Sequence, residues 1–246
     1  MHGRSKNRLR LPLESIEEIF ESKIHLFPRI LDDSLKGLLL PAQISLYHGP
    51  ERAPLSILAH SFAVSAVRGN KSLSVFLDSG SNYSSTLVRS FCSSSTESVD
   101  ILQRIIVGPI LGLDDLIDKM KQLETMDEVS LIVLDSLTGA LNLTGAPGTR
   151  GRQRNLFWAL DSMRQLINSL DAHVMITDHS SRNWTSGCQQ PIGGNVLSHA
   201  VDSVVLVDRL RPDDDVFRIL IERTSVAPPP SDVILRIGAK GIRSIR

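Results

Sequence analysis

Residues 129–134, Val-Ser-Leu-Ile-Val-Leu, make a nearly unbroken apolar run that stops at Asp135. A strand with one wet face alternates apolar and polar residues. A run without alternation fits a strand covered on both faces, as in parallel sheets packed between helices. The flanking stretches fit the same sheet. Residues 44–47 and 72–77 are short apolar runs. Between them, Leu55, Leu58, Ala59, Phe62, Ala63, Ala66 and Val67 recur at helical spacing over residues 55–68, with Gly69 where a C′ residue is expected. The alternation continues with a helix over 84–91, a serine-rich loop over 93–98, a strand over 105–107 and a helix over 113–123. A long helix over 153–170 and a strand over 174–177 follow. After Ser203 the pattern is β only, at 204–207, 216–221 and 233–237, closing in a hairpin around Gly241. A βαβ series ending in antiparallel strands predicts an α/β fold: a mostly parallel, twisted sheet with helices on both faces.

Residues 1–30 read as a basic and amphipathic arm, with Ile16, Ile19 and Phe20 on one helical face, and residues 31–246 as the core domain. The 27 basic and 27 acidic residues cancel, so nucleic acid must be held by local patches rather than by net charge. Cys92 and Cys188 stand in no metal spacing and read as idle thiols in a reducing compartment; no metal site is expected. No apolar run approaches the ~20 residues that span a bilayer, and the basic start lacks the apolar stretch of a secretory signal. The expectation is a soluble protein without a membrane partner, cytoplasmic and nucleoid-associated, or nuclear in a eukaryote.

A phosphate-cradling loop is due after the first strand: Gly, four residues, Gly, Lys, then Ser or Thr. Gly49-Pro-Glu-Arg52-Ala-Pro-Leu-Ser56 keeps both ends at that spacing, with Pro54 at the second glycine and Leu55 at the lysine. Proline has no N–H to give a phosphate, and leucine carries no charge to meet one. Arg52 lies inside the loop and can replace part of that charge. Ser56 holds the hydroxyl position of that pattern, and Ser56 and Asp135 can also be simple caps of a helix and a strand.

Three further stretches agree in order: Leu131-Ile-Val-Leu-Asp135-Ser-Leu-Thr138, a glycine- and arginine-rich loop over 145–154, and Pro191-Ile-Gly-Gly-Asn-Val-Leu-Ser-His-Ala200. With these in hand the chain resembles the RecA/RadA recombinase family, in its RadA-like archaeal and eukaryotic branch, over roughly residues 30–246. The resemblance implies a RecA-like P-loop NTPase core with a degenerate Walker A loop. It puts Asp135 at the metal-orienting aspartate, Ser56 at the Mg²⁺ hydroxyl and Leu55 at the lysine. Gly80, near Asp78, stands for the catalytic glutamate, and His179 for the γ-phosphate-sensing glutamine. With lysine, glutamate and glutamine all absent, the expectation is a pseudo-ATPase with no catalytic residues, whose vestigial nucleotide site (Gly49, Arg52, Ser56, Asp135) holds ATP and Mg²⁺ at most weakly.

Two family loops face single-stranded DNA. The first implies phosphate contacts from Arg150, Arg152 and Arg154 on a flexible segment before a helix. The second implies Arg182 and a base-stacking Trp184. His199 matches a position beside a neighbour's nucleotide, or is a structural histidine. The family's joining motif, Phe-x-x-Ala, is poorly matched by Phe20-Glu-Ser-Lys23 and by Phe27-Pro-Arg-Ile30, which implies a chain that does not polymerise in the family manner but still offers a receiving surface. The reading is an accessory factor in homologous recombination and repair that binds single-stranded DNA, a RadA-type recombinase or another paralogue, and modulates filament assembly. Two alternatives stand beside it: a weak DNA-stimulated ATPase, and a RecA-like regulatory protein with no DNA role.

Overall fold

The computed structural model describes residues 24–68, 71–146, 148–182, 187–225, 232–238 and 241–245. Four βα steps and a fifth strand lay down β1 (Ile44–Gly49), α2 (Arg52–Val67), β2 (Leu73–Asp78), α3 (Ser85–Ser90), α4 (Ser95–Arg104), β3 (Ile105–Pro109), α5 (Leu113–Leu123), β4 (Val129–Asp135), α6 (Leu137–Asn142), α7 (Arg150–Leu170) and β5 (His173–Arg182); a short α1 (Arg29–Leu35) precedes them. A short β6 (Gln189–Pro191) turns back on β5. Then α8 (Gly194–Ala200) leads to β7 (Ser203–Arg209), β8 (Val216–Arg223), β9 (Val233–Gly238) and β10 (Gly241–Ser244). The strand order is β10-β9-β8-β7-β1-β5-β4-β2-β3. Strands from β7 to β3 in that order run parallel, and β8, β9 and β10 pair antiparallel.

β4 shows why its sequence lacks alternation. Leu131 and Val133 point to one face, where they join Tyr47, Phe62, Phe76 and Met175 beneath α2. Ile132 and Leu134 point to the other, against Leu116, Leu160, Met163 and Ile167 of α5 and α7. Both faces are dry, so residues 131–134 are all apolar. The first of these clusters also contains Ile24 and Leu26, so the end of the segment read as an arm packs into the main body. The arm's amphipathic stretch, Phe20-Glu-Ser-Lys23 and Gly69 lie outside the described residues.

Local chemistry moves three boundaries. The serine-rich segment is not a loop throughout: α4 starts at Ser95, because Ser94 Oγ accepts the Glu97 N–H at 3.1 Å while the Glu97 carboxylate accepts the Ser93 N–H at 2.6 Å. This is a variant of the Ser-x-x-Glu capping box, with the carboxylate reaching the residue before the cap. The strand expected over 174–177 continues to Arg182 because β6 supplies it with a ladder partner. Helix α2 starts at Arg52 rather than at residue 55, with consequences for the site described below.

His173, 1 % exposed at the start of β5, ties two segments together. Its Nδ1 bonds the Leu40 carbonyl at 2.9 Å, so the proton sits there, and Nε2 accepts from Ser45 Oγ at 2.7 Å. Burial pushes its pKa from 6.5 down to about 4. The folded state therefore resists the proton that an unfolded histidine takes up near 6.5. Stability from this group is complete above that pH and is lost as pH falls toward 4, by about 3 kcal/mol in all. Urea unfolding between pH 7 and 4.5 should show this loss, and His173→Gln should flatten the slope by about one proton. An equal slope in the two proteins would refute the assignment.

Candidate functional site

The first strand ends in a close approach. A Cβ on Gly49 would lie 2.3 Å from the Val207 carbonyl oxygen of β7, so glycine is required there. Three residues later α2 begins. Pro54 suits its first turn, where a missing N–H costs the helix nothing. Residues 52–55 are thereby wound into helix, and the winding turns Leu55 inward: it is 3 % exposed and part of the core beneath α2. Arg52 is exposed on the same turn. Glu51, in the loop itself, is gripped bidentately by Arg209 at the end of β7, at 2.6 Å for both contacts, and the guanidinium lies 4.6 Å above the Phe217 ring. The hydrogen bonds from Arg209 hold the Glu51 carboxyl below the usual carboxylate range, so the loop carries a fixed negative charge.

Ser56 and Asp135, which the family resemblance put at one Mg²⁺ site, are in contact. Asp135 Oδ2 accepts from Ser56 Oγ at 2.7 Å and Oδ1 from Thr177 Oγ1 at 2.8 Å. The carboxyl is 3 % exposed, and burial raises its pKa against the pull of the two hydroxyls. Asp78 does not face a reacting group: its carboxylate accepts the N–H groups of Gly80, Asn82 and Tyr83, each at 3.0 Å, and so closes the turn after β2. His179 lies opposite Gly49 in the parallel register, beside the loop, with its N–H donated to Thr138 Oγ1 at 2.9 Å. His60, which spacing did not single out, sits one turn after Ser56. Its Nδ1 bonds the Ser56 carbonyl at 2.7 Å and its Nε2 accepts the Ser84 N–H at 2.9 Å, so the ring is neutral, and burial pushes its pKa down.

These residues do not fit a firmly held Mg²⁺–triphosphate. The lysine position is buried in apolar core, a proline occupies a donor position, and the loop already holds an anion in the Glu51–Arg209 pair. Among the described residues no group of three or more His, Cys, Asp and Glu side chains could hold a metal.

On the other face of the sheet, the Pro-Ile-Gly-Gly segment is anchored by Asp178, which is fully buried. Asp178 accepts from Thr138 Oγ1 and from the Gly193 N–H, the latter at 3.2 Å. The Ile192 N–H reaches the His179 carbonyl at 3.1 Å. A Cβ on Gly193 would lie 2.6 Å from the Leu197 side chain, and Gly194 has φ 62°, so the two glycines serve different needs, close packing and a left-handed turn. The signal for Asp178 was a charged residue ending the apolar run 174–177. Its role depends on partners far along the chain.

The three arginines are not on a flexible segment. Thr149 caps α7 by accepting the Arg152 N–H at 3.3 Å, and Arg150, Arg152 and Arg154 occupy the first helical turn and its continuation. Cations there oppose the helix dipole, a cost that a bound anion would relieve. The helix also divides them. Arg152 lines a cleft of about 370 Å³ together with Gly148, Gln153, Leu156, Ile192, Gly193 and Gly194, so the ends of both predicted DNA loops meet on one surface. Arg150 and Arg154, four residues apart, are exposed on the outer face. Arg182 stands at the end of β5, with Nε donating to the Gly187 carbonyl at 3.1 Å, and is therefore a strand residue rather than a loop residue. Trp184 lies outside the described residues. His199 is exposed on α8.

At the far end of the sheet, β3 has a partner only in β2 among the described residues, and Ile106 and Val107 are 37 % and 41 % exposed. An open edge with apolar side chains is a template for another strand. No described helix is long and apolar enough to cross a membrane.

Three comparisons bear on this arrangement. The family model for Rad51 matches residues 23–245. A "DNA repair protein RAD51" from Mycosarcoma maydis is 23 % identical over 229 residues, spanning 86 % of this chain and 67 % of that protein. The crystal structure of the RadB recombinase superposes with a TM-score of 0.73 at 18 % identity, covering 89 % of this chain and 97 % of that one, which is a likeness of fold.

Proposed function

The chain belongs to the Rad51 family, and from that premise we propose that its part in recombination and DNA repair is accessory: it binds single-stranded DNA and a recombinase partner and modulates filament assembly without turning over ATP. One observation carries the reading. At the position where a nucleotide-splitting loop needs an ammonium between the phosphates, Leu55 is packed into the core. The burial of Leu55, beside the absence of a lysine from the loop, supports reading it as a degenerate Walker A. DNA contact is supported by the cleft where Arg152 meets the Pro-Ile-Gly-Gly segment, and partner contact by the open, apolar edge of β3. A weak DNA-stimulated ATPase is a second reading, favoured by the Ser56–Asp135 contact.

Purified protein should bind a fluorescent single-stranded oligonucleotide equally with and without ATP and Mg²⁺, and should release no phosphate above background. A Mg²⁺-dependent turnover abolished by Asp135→Asn would replace this proposal with the second reading. Failure to bind DNA at low salt would remove the DNA half of it.

A further inference from the structure

Helix α7 buries Leu156, Ala159, Leu160, Met163, Leu166 and Ile167 along one stripe. Its opposite side is not the polar surface such a helix normally presents. Phe157 and Trp158 are 56 % and 52 % exposed and pack edge to face at 5.9 Å between centroids. Arg150 and Arg154 lie on the same outer face, two turns and one turn before the aromatic pair. Both are exposed, and neither has an ion-pair partner among the described residues. The next acid on that side, Asp161, comes one turn later and accepts from Gln165 Nε2 at 2.8 Å.

Two exposed cations followed by two exposed rings present the two groups that hold a single strand: charge for its phosphates and flat faces for its bases. A protein surface would also accept the rings, yet it would leave the arginine pair unmatched unless it were itself acidic. The two surfaces lie on different sides of the helix but close along it, Trp158 being roughly 9 Å along the axis from Arg152. We propose that the outer face of α7 is a stacking platform on which a single strand leaving the cleft lays bases on Trp158 and Phe157, with Arg154 and Arg150 on its phosphates. This inference rests on the DNA reading above and adds a site to it.

The chain has two tryptophans, so in a Trp184→Phe background the emission comes from Trp158 alone. Titration with oligo-dT should quench that emission in parallel with the anisotropy of the labelled oligonucleotide. Trp158→Ala in the full chain should weaken binding roughly ten-fold, and Trp158→Phe should restore most of it. Binding by anisotropy with unchanged emission, and affinity within two-fold after Trp158→Ala, would overturn the platform and leave the cleft reading standing. No binding of the strand at low salt would overturn both. A change in sedimentation of the DNA-free protein on Trp158→Ala would assign the rings to a protein contact and overturn the platform.

Discussion

Replacing Leu55 by lysine, which restores the residue a phosphate-cradling loop needs, is expected to cost about 3–5 kcal/mol of unfolding free energy and to yield no ATP turnover. The reason is the start of α2. Because the helix begins at Arg52, position 55 faces the apolar core and not the loop. An ammonium there would have to shed its water, lose its proton or pull the helix end apart, each unfavourable by several kcal/mol. Denaturant unfolding of Leu55→Lys against the parent, with phosphate release measured on both, tests this. A variant of parental stability that hydrolyses ATP would mean that the loop can rewind to a productive form, and the accessory reading would fall with it.

The second large effect is expected at the start of α7, where binding and stability should move in opposite directions. Changing Arg150, Arg152 and Arg154 together to alanine removes three cations from the positive end of a helix dipole. Folding should be unaffected or helped by a few tenths of a kcal/mol per residue. Single-strand affinity should fall roughly a hundred-fold at low salt, and the slope of log K against log salt should become shallower by about 2, since each lost phosphate contact removes about 0.7. A purely structural role predicts the reverse: lower stability and an unchanged salt slope. Single substitutions sharpen the result. Arg152→Ala probes the cleft, whereas Arg150→Ala and Arg154→Ala probe the outer face, because the helix points them in different directions.

Much of this architecture was legible in residue order. The dry run ending at Asp135 and the change to strands after Ser203 implied the mostly parallel sheet with its antiparallel end, which the chain adopts. The family resemblance gives Ser56 and Asp135 a common Mg²⁺ role; their 2.7 Å contact is a feature of the folded chain. Serine-rich composition suggests a loop over 93–98, but the Ser94–Glu97 signature starts a helix inside it. The glycines around the arginines suggest flexibility, but the Thr149 cap starts α7 at Arg150.

Spacing between near neighbours is what a linear chain displays. It was enough to set strand against helix, to mark the loop with no lysine and to bring two arginine-bearing segments into the same family frame. Orientation was decided by contacts between residues far apart in the chain: Arg209 reaching 158 positions to Glu51, Asp178 holding Thr138 and Gly193, and the core that draws Leu55 inward. Periodicity sets which side of an element is apolar. What lies opposite that side, and so whether a residue faces core, cleft or solvent, exists only once the sheet has assembled.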